Sequence, residues 1–300
     1  MVLICAVGVG SQACGASALV GEEGLHNSTK RFTDPAAMTE SDWSDPEEVE
    51  RVWQAAFVRI PLADGEVLET RVRDLEGVKI HAEKRWPTVL YLHGCTGIWE
   101  GSYERMDLFA DGGFAVIAPP SFAREKYPQS CDPDSNRGAF YRGTLPMRQQ
   151  DAAHAIRRAK TLPWVDPERL FLVGFSQGGI VAATLATDEE TRLGGRIIEG
   201  WTCHSSFAEY RGAAAPAEEP VLALVARDDP WYQYPTTKGD CRPFLNRDNG
   251  SRSVVFTDEA LRKTHSLLQE TKPQAVALHF LRSRLEILDE SSTGSTGSTD

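Results

Sequence analysis

RLFLVGFSQGGIVAATLA, residues 169–186, decides how this chain is read. Arg169 to Val173 is a short apolar run of the kind that forms a buried strand. Gly174-Phe175-Ser176-Gln177-Gly178 follows it, and a further glycine, Gly179, comes next. Gly178 to Ala186 is small and apolar, which suits a helix packed closely on a sheet. The stretch therefore reads as strand, tight turn and helix, with a serine at the apex. A serine raised on such a turn has a strained backbone. Glycines two before and two after it remove side chains that would meet the neighbouring strand and helix. The bare G-x-S-x-G pattern would arise by chance in roughly one chain of this length in ten. The flanking strand and helix are what separate a nucleophile from a glycine-rich turn with no chemistry.

The alternation continues on both sides. Upstream, Thr88 to Leu92 and Phe114 to Ala118 read as buried strands. Downstream, Arg196 to Trp201, Val221 to Ala226 and Ser253 to Phe256 do the same. Val52 to Ile60 and Val67 to Val72 read as an opening pair around a turn at Asp64-Gly65. Helices are predicted at Tyr103 to Ala110, Met147 to Leu162 and Pro273 to Leu288, the last with proline at its start. Together these imply an α/β chain, with a mostly parallel central sheet of about eight strands and helices on both faces. Residues 120–145 have no periodicity and are rich in Pro, Asp, Ser, Asn and Arg. So long an irregular segment in a compact domain is usually functional.

The nucleophile turn fits the α/β-hydrolase fold, in which the chain order is nucleophile, acid, histidine. Val221 to Ala226 leads into Arg227-Asp228-Asp229-Pro230. Asp228 comes first, nearer the strand end, and is preferred as the acid. Asp229, before Pro230, is read as shaping the turn. His265 follows the strand at Ser253 and precedes the last helix, where the base belongs. His81, His154 and His204 lie upstream of the acid. His279 sits among apolar residues of the last helix and reads as a buried structural histidine. Ser176, His265 and Asp228 would then serve as nucleophile, general base and orienting acid.

Two backbone amides are candidates to hold an oxyanion. Gln177 opens a helix, where free N–H groups favour negative charge. Cys95 lies in His93-Gly94-Cys95-Thr96-Gly97 after the strand at Thr88, from which a backbone N–H can be aimed at the same atom. His93 is read as ordering that loop by hydrogen bonding. The Cys95 thiol, just after a strand, reads as structural or disulfide-bonded rather than nucleophilic.

The 300 residues carry a net charge of −11 with 41% hydrophobic and 25% charged residues. That suits one large soluble domain and argues against a nucleic-acid partner. Residues 1–20 are uncharged, with an apolar run too short to span a bilayer and Ala16-Ser17-Ala18 in the form of a signal-peptidase site. They read as a signal peptide lacking a basic n-region, and so as a secreted or periplasmic protein; without that leader the protein would be cytoplasmic. Cys5 and Cys14 fall in the leader, which leaves Cys95, Cys131, Cys203 and Cys241 for two disulfides in any of three pairings, or for four free thiols. No C-x-x-C occurs, so no structural zinc is expected. Residues 21–46 read as a linker or loose arm, 47–288 as the folded domain and 289–300 as a disordered tail.

The assembled pieces resemble the dienelactone hydrolase family over most of residues 86–286. The resemblance rests on LHGCTG, FAVIAPPSF, Arg148 with Asp151, VDPERLFLVGFSQGG, the double-aspartate turn and the late histidine. It implies a single α/β-hydrolase domain without a large cap, no cofactor, and hydrolysis of a small-molecule ester or lactone. The best-known members use a cysteine nucleophile. Ser176 shifts the expectation toward a carboxylesterase working through an acyl-enzyme, with lactone hydrolysis or acyl transfer as alternatives. A binding protein that merely kept the fold is the alternative of another class, and Ser176, Asp228 and His265 in the right order argue against it. The family's histidine usually follows a glycine-containing turn, whereas Thr257 to Thr264 is charged and lacks glycine. Arg124, Arg137 and Arg142 lie in or beside the long loop. One of them could bind a substrate carboxylate; solvated surface charge is the plainer explanation.

Overall fold

The computed structural model describes residues 24–62, 65–76, 78, 80 and 85–294. The leader, the Asp64 half of the first turn, His81 and the last six residues of the tail lie outside the described residues.

The chain runs α1 (Pro46–Gln54), β1 (Phe57–Pro61), β2 (Val67–Arg71), β3 (Trp86–Leu92), α2 (Glu100–Asp111) and β4 (Ala115–Ala118). A two-stranded hairpin follows, β5 (Cys131–Asp132) and β6 (Arg137–Gly138). Next come α3 (Thr144–Lys160), β7 (Val165–Phe175), α4 (Gln177–Thr184) and β8 (Gly195–Glu199). The chain closes with β9 (Val221–Ala226), β10 (Arg252–Phe256) and α5 (Thr271–Gly294). The main sheet has eight strands in the order β10-β9-β8-β7-β3-β4-β1-β2. β1 is antiparallel to both its neighbours, and the other pairings are parallel. This is the α/β-hydrolase architecture expected from the alternation.

The continuous apolar runs have a direct cause. Successive side chains on a strand point to opposite faces. Leu90, Leu92, Leu170 and Leu172 pack into the core under α1, α3 and α4. Their neighbours Val89, Tyr91, Phe171 and Val173 pack into a second core with Met106 and Phe109 of α2 and Phe280 and Leu281 of α5. Both faces are covered, so no position on these strands can be polar without a buried partner.

Four sequence expectations change. The run from Val52 is not all strand: it begins as the end of α1. Asp45 caps that helix by accepting from Glu47 N at 2.9 Å, Pro46 opens it, and Val49, Val52 and Trp53 are buried. The helical signal was there, in an Asp-Pro start and apolar residues three and four apart. The segment from residue 24 to 46 is no loose arm either. Asn27 N donates to Thr96 O at 2.8 Å, Ile98 N to Leu25 O at 3.0 Å, and Lys30 Nζ to the carbonyls of Phe122 and Arg124. Its partners are backbone groups of loops, which leave no periodic trace in sequence. His279 is exposed rather than buried, on the outer side of α5. That helix continues past Leu288 to Gly294, into what was read as tail.

Candidate active site

The parallel strands end together on one edge of the sheet, where loops can converge. Ser176 lies between β7 and α4 with φ 54° and ψ −115°, a region non-glycine residues rarely occupy. Its own N–H donates to Glu199 O at 2.8 Å, which ties the turn to the next strand. The glycines are sterically required. A Cβ on Gly174 would lie 2.1 Å from Gly178 O, and one on Gly178 would lie 2.1 Å from Leu92 O. No side chain fits either gap.

His265 follows β10 and stands over the turn. Its Nε2 is 2.9 Å from Ser176 Oγ and its Nδ1 is 2.7 Å from Asp229 Oδ2. A carboxylate accepts, so Nδ1 carries the proton and Nε2 is left to accept from the serine hydroxyl. Asp229 has a side chain 2% exposed, and its other oxygen accepts from Trp231 N at 3.0 Å. The sequence preference for Asp228 is thereby corrected. Asp228 turns outward, 28% exposed, and pairs with Arg262 at 2.5 Å. Arg262 lies in the charged Thr257 to Thr264 stretch, so that stretch supplies a surface ion pair where a glycine turn was expected. Pro230 explains the choice: it opens a single-turn helix, Pro230–Tyr232, for which Asp229 is the cap, so the second aspartate is fixed inward.

Cys95 and Gln177 both border the space above Ser176. The Gln177 amide, in the first turn of α4, has no intrahelical acceptor and is available to an anion. His93 orders the Cys95 loop as expected. It is fully buried, Ser121 N donates to its Nε2 at 3.0 Å, and its Nδ1 donates to Gly94 O at 2.6 Å. Burial, with Arg148 nearby, holds its pKa well below the ordinary histidine value. The ring therefore stays neutral.

Sequence reasoning named Arg148 only within the resemblance, and its position is informative. It is 2% exposed and donates to the Gln177 side chain at 2.9 Å and to His93 O. One guanidinium thus links the two segments that carry the candidate amides. Glu199 was missed altogether. It is fully buried and pairs with Arg105, and its Oε1 accepts from Leu268 N at 2.7 Å, which anchors the loop just after His265. A charged residue closing an apolar strand was the available signal. The ring of Phe175 lies between the Arg105 guanidinium, at 4.3 Å, and the His265 ring, at 5.1 Å.

The four cysteines among the described residues form two disulfides, one of which borders the site. Cys95 is bonded to Cys131, which ties the loop after β3 to the β5–β6 hairpin. Cys203 is bonded to Cys241 in the core, behind the segment after β8. The Cys95 sulfur is therefore no free thiol. Of the three loop arginines, Arg124 is buried against Asp151 at 2.7 Å and Arg142 pairs with Glu209 at the surface. Arg137 alone of the three borders the cleft. Among the described residues no cluster of side chains suits a metal ion, and no helix is long and apolar enough to cross a membrane.

The sequence matches the dienelactone hydrolase family over residues 75–240. Among solved structures it is similar to a dienelactone hydrolase-like promiscuous phosphotriesterase from metagenomic libraries, at 18% identity, with 76% of this chain and 98% of the other covered and a TM-score of 0.48. It is also similar to a hyperthermophilic esterase from the archaeon Pyrobaculum calidifontis, at 15% identity, 85% and 94% coverage and a TM-score of 0.44. A thermophilic esterase from the planctomycete Thermogutta terrifontis gives 16% identity, 76% and 88% coverage and a TM-score of 0.46. A search of curated proteins returned no match. With the family matched over more than half its length, on an α/β-hydrolase sheet, the chain belongs to the dienelactone hydrolase family, hydrolases of ester and lactone bonds.

Proposed function

We propose that the protein is a serine hydrolase that cleaves carboxylic esters through a Ser176–His265–Asp229 triad and an acyl-enzyme. The observation that carries this reading is the unbroken chain of contacts from Ser176 Oγ to His265 Nε2 at 2.9 Å and from His265 Nδ1 to Asp229 at 2.7 Å. In the first step His265 takes the hydroxyl proton as Ser176 Oγ bonds to the acyl carbon. The carbonyl oxygen gains the negative charge, which the Cys95 and Gln177 amides would hold. The C–O bond to the alcohol then breaks, and His265 returns its proton to the leaving oxygen. Water, deprotonated by the same imidazole, attacks the acyl-enzyme and releases the acid. Asp229 keeps the proton on Nδ1 and stabilises the imidazolium without itself becoming protonated. A lactone would follow the same steps with the leaving oxygen tethered.

The two disulfides favour an oxidising compartment. We therefore keep secretion or the periplasm as the proposed location, with residues 1–20 as the leader.

The test is hydrolysis of p-nitrophenyl butanoate. Wild type should turn the ester over, and Ser176→Ala should lose about 10⁴-fold or more in kcat. Undiminished turnover by Ser176→Ala would remove the serine from the mechanism.

A further inference from the structure

Ser176 stands at the meeting point of two cavities. One, of about 290 Å³, is bordered by the β5–β6 hairpin, Gln177 and the segments after β8 and β9. The other, of about 410 Å³, is bordered by His265, Ser266, Trp99 and residues 26–28 of the N-terminal segment. Cys95, Ser176 and Trp231 belong to both. Trp231 forms the partition: its ring stacks on His265 at 5.3 Å with an interplanar angle of 26°.

The position of the base assigns the two halves of an ester. His265 must deliver a proton to the leaving oxygen, so the alcohol lies on its side. His265 borders the larger cavity and not the smaller one. The acyl group then extends the other way, past Gln177. The smaller cavity is walled by Trp201, Phe207, Tyr210, Trp231, Tyr232 and Tyr234, with Ile180 as its single large aliphatic. The inner rings are fixed: Trp201 meets Tyr232 edge to face at 5.3 Å, and the Tyr232 hydroxyl is held by Gly200 O at 2.6 Å. Aromatic walls present ring faces and edges to a guest, and an aromatic guest gains most from them. A cavity of about 150 Å³ accommodates benzene. The smaller cavity is about twice that, enough for one ring and a short tether.

We propose that the preferred substrates are esters of arylalkanoic acids, with the aryl acyl group in the cavity beyond Gln177 and the alcohol on the His265 side. The proposal rests on the serine-hydrolase reading above and specifies its substrate class. Phe207 and Tyr234, 38% and 64% exposed, are wall residues whose removal leaves the core intact.

The experiment compares kcat/KM for two pairs of esters. p-Nitrophenyl acetate against p-nitrophenyl 3-phenylpropanoate varies the acid. Methyl against benzyl 3-phenylpropanoate varies the alcohol. Wild type should prefer the 3-phenylpropanoyl ester at least tenfold, which is about 1.4 kcal/mol. The double variant Phe207→Ala with Tyr234→Ala should cut that preference fivefold or more and leave the benzyl-to-methyl ratio unchanged. Trp99→Ala should shift the benzyl-to-methyl ratio alone. No aryl preference in wild type, or wall variants that move the alcohol ratio instead, would overturn the assignment. Labelling by a fluorophosphonate probe, run beside the kinetics, separates the two failures. Label on Ser176 without aryl preference sinks only this inference, and absence of label sinks the hydrolase reading beneath it.

Discussion

The nucleophile turn after β7 and the acid turn after β9 meet at one histidine, yet they are held in place differently. The first is locked by exclusion. Backbone oxygens, that of Gly178 within the turn and that of Leu92 on β3, stand 2.1 Å from where a Cβ on Gly174 or Gly178 would sit, so only glycine fits at either position. The second is chosen by surroundings. Asp228 and Asp229 are adjacent and chemically alike; the Pro230 turn that Asp229 caps sets them apart locally, and Arg262 outside and His265 inside complete the distinction. A turn whose packing admits only glycine at two positions carries that mark in its own residues and can be recognised from a short motif. A choice between two like neighbours that is completed by distant partners is harder to read.

The largest expected contrast lies between those two aspartates. Asp229→Asn should lower kcat by about 10³- to 10⁴-fold, because the amide no longer holds the imidazole proton on Nδ1. Asp228→Asn should change kcat by less than about threefold, since its half-buried ion pair with Arg262 lies on the side of the turn away from His265. Steady-state kinetics on both variants checks the pair, and a reversed outcome would exchange their roles.

A smaller effect separates the supports of the nucleophile turn. Arg148 bonds the side chain of Gln177 and the carbonyl of His93 from within the core. Arg148→Met should lower kcat about tenfold or more through a misplaced oxyanion donor, with KM little changed. Equal loss in KM alone would assign Arg148 to ground-state binding. Its test includes the melting temperature, which separates lost positioning from lost fold.

The smallest effect is in pH. Burial first, and Arg148 second, hold the His93 pKa well below its ordinary 6.5. Below that pH the unfolded chain takes up a proton that the folded chain refuses. Stability therefore falls as pH drops below about 6.5, by up to about 1.4 kcal/mol per pH unit from this one residue. Chemical unfolding between pH 7.5 and 5 should show that slope in wild type and lose it in His93→Gln. Identical slopes would mean that His93 titrates normally in the fold.

Much of this was legible in sequence. The buried strands were readable because both sheet faces are covered, so Val89–Leu92 of β3, Leu170–Phe175 of β7 and the whole of β9 carry no charged or hydrogen-bonding aliphatic side chain. The serine turn, the His93 loop and His265 were readable from motif and chain order. What escaped reading depends on partners far apart in the chain. Glu199 acts through Leu268 and Arg105, and the segment around Leu25 binds loop carbonyls, none of which leaves a periodic signal. The pairing of Cys95 with Cys131 and Cys203 with Cys241 likewise needed the folded chain.

The central claim is that Ser176 Oγ is the activated nucleophile. Intact-mass spectrometry after brief exposure to a fluorophosphonate, followed by peptide mapping, tests it in one step. One adduct per chain is expected, on the peptide carrying Ser176, with none in Ser176→Ala and sharply slowed labelling in His265→Ala. An unlabelled wild type, or an adduct that persists when Ser176 is replaced, would contradict it.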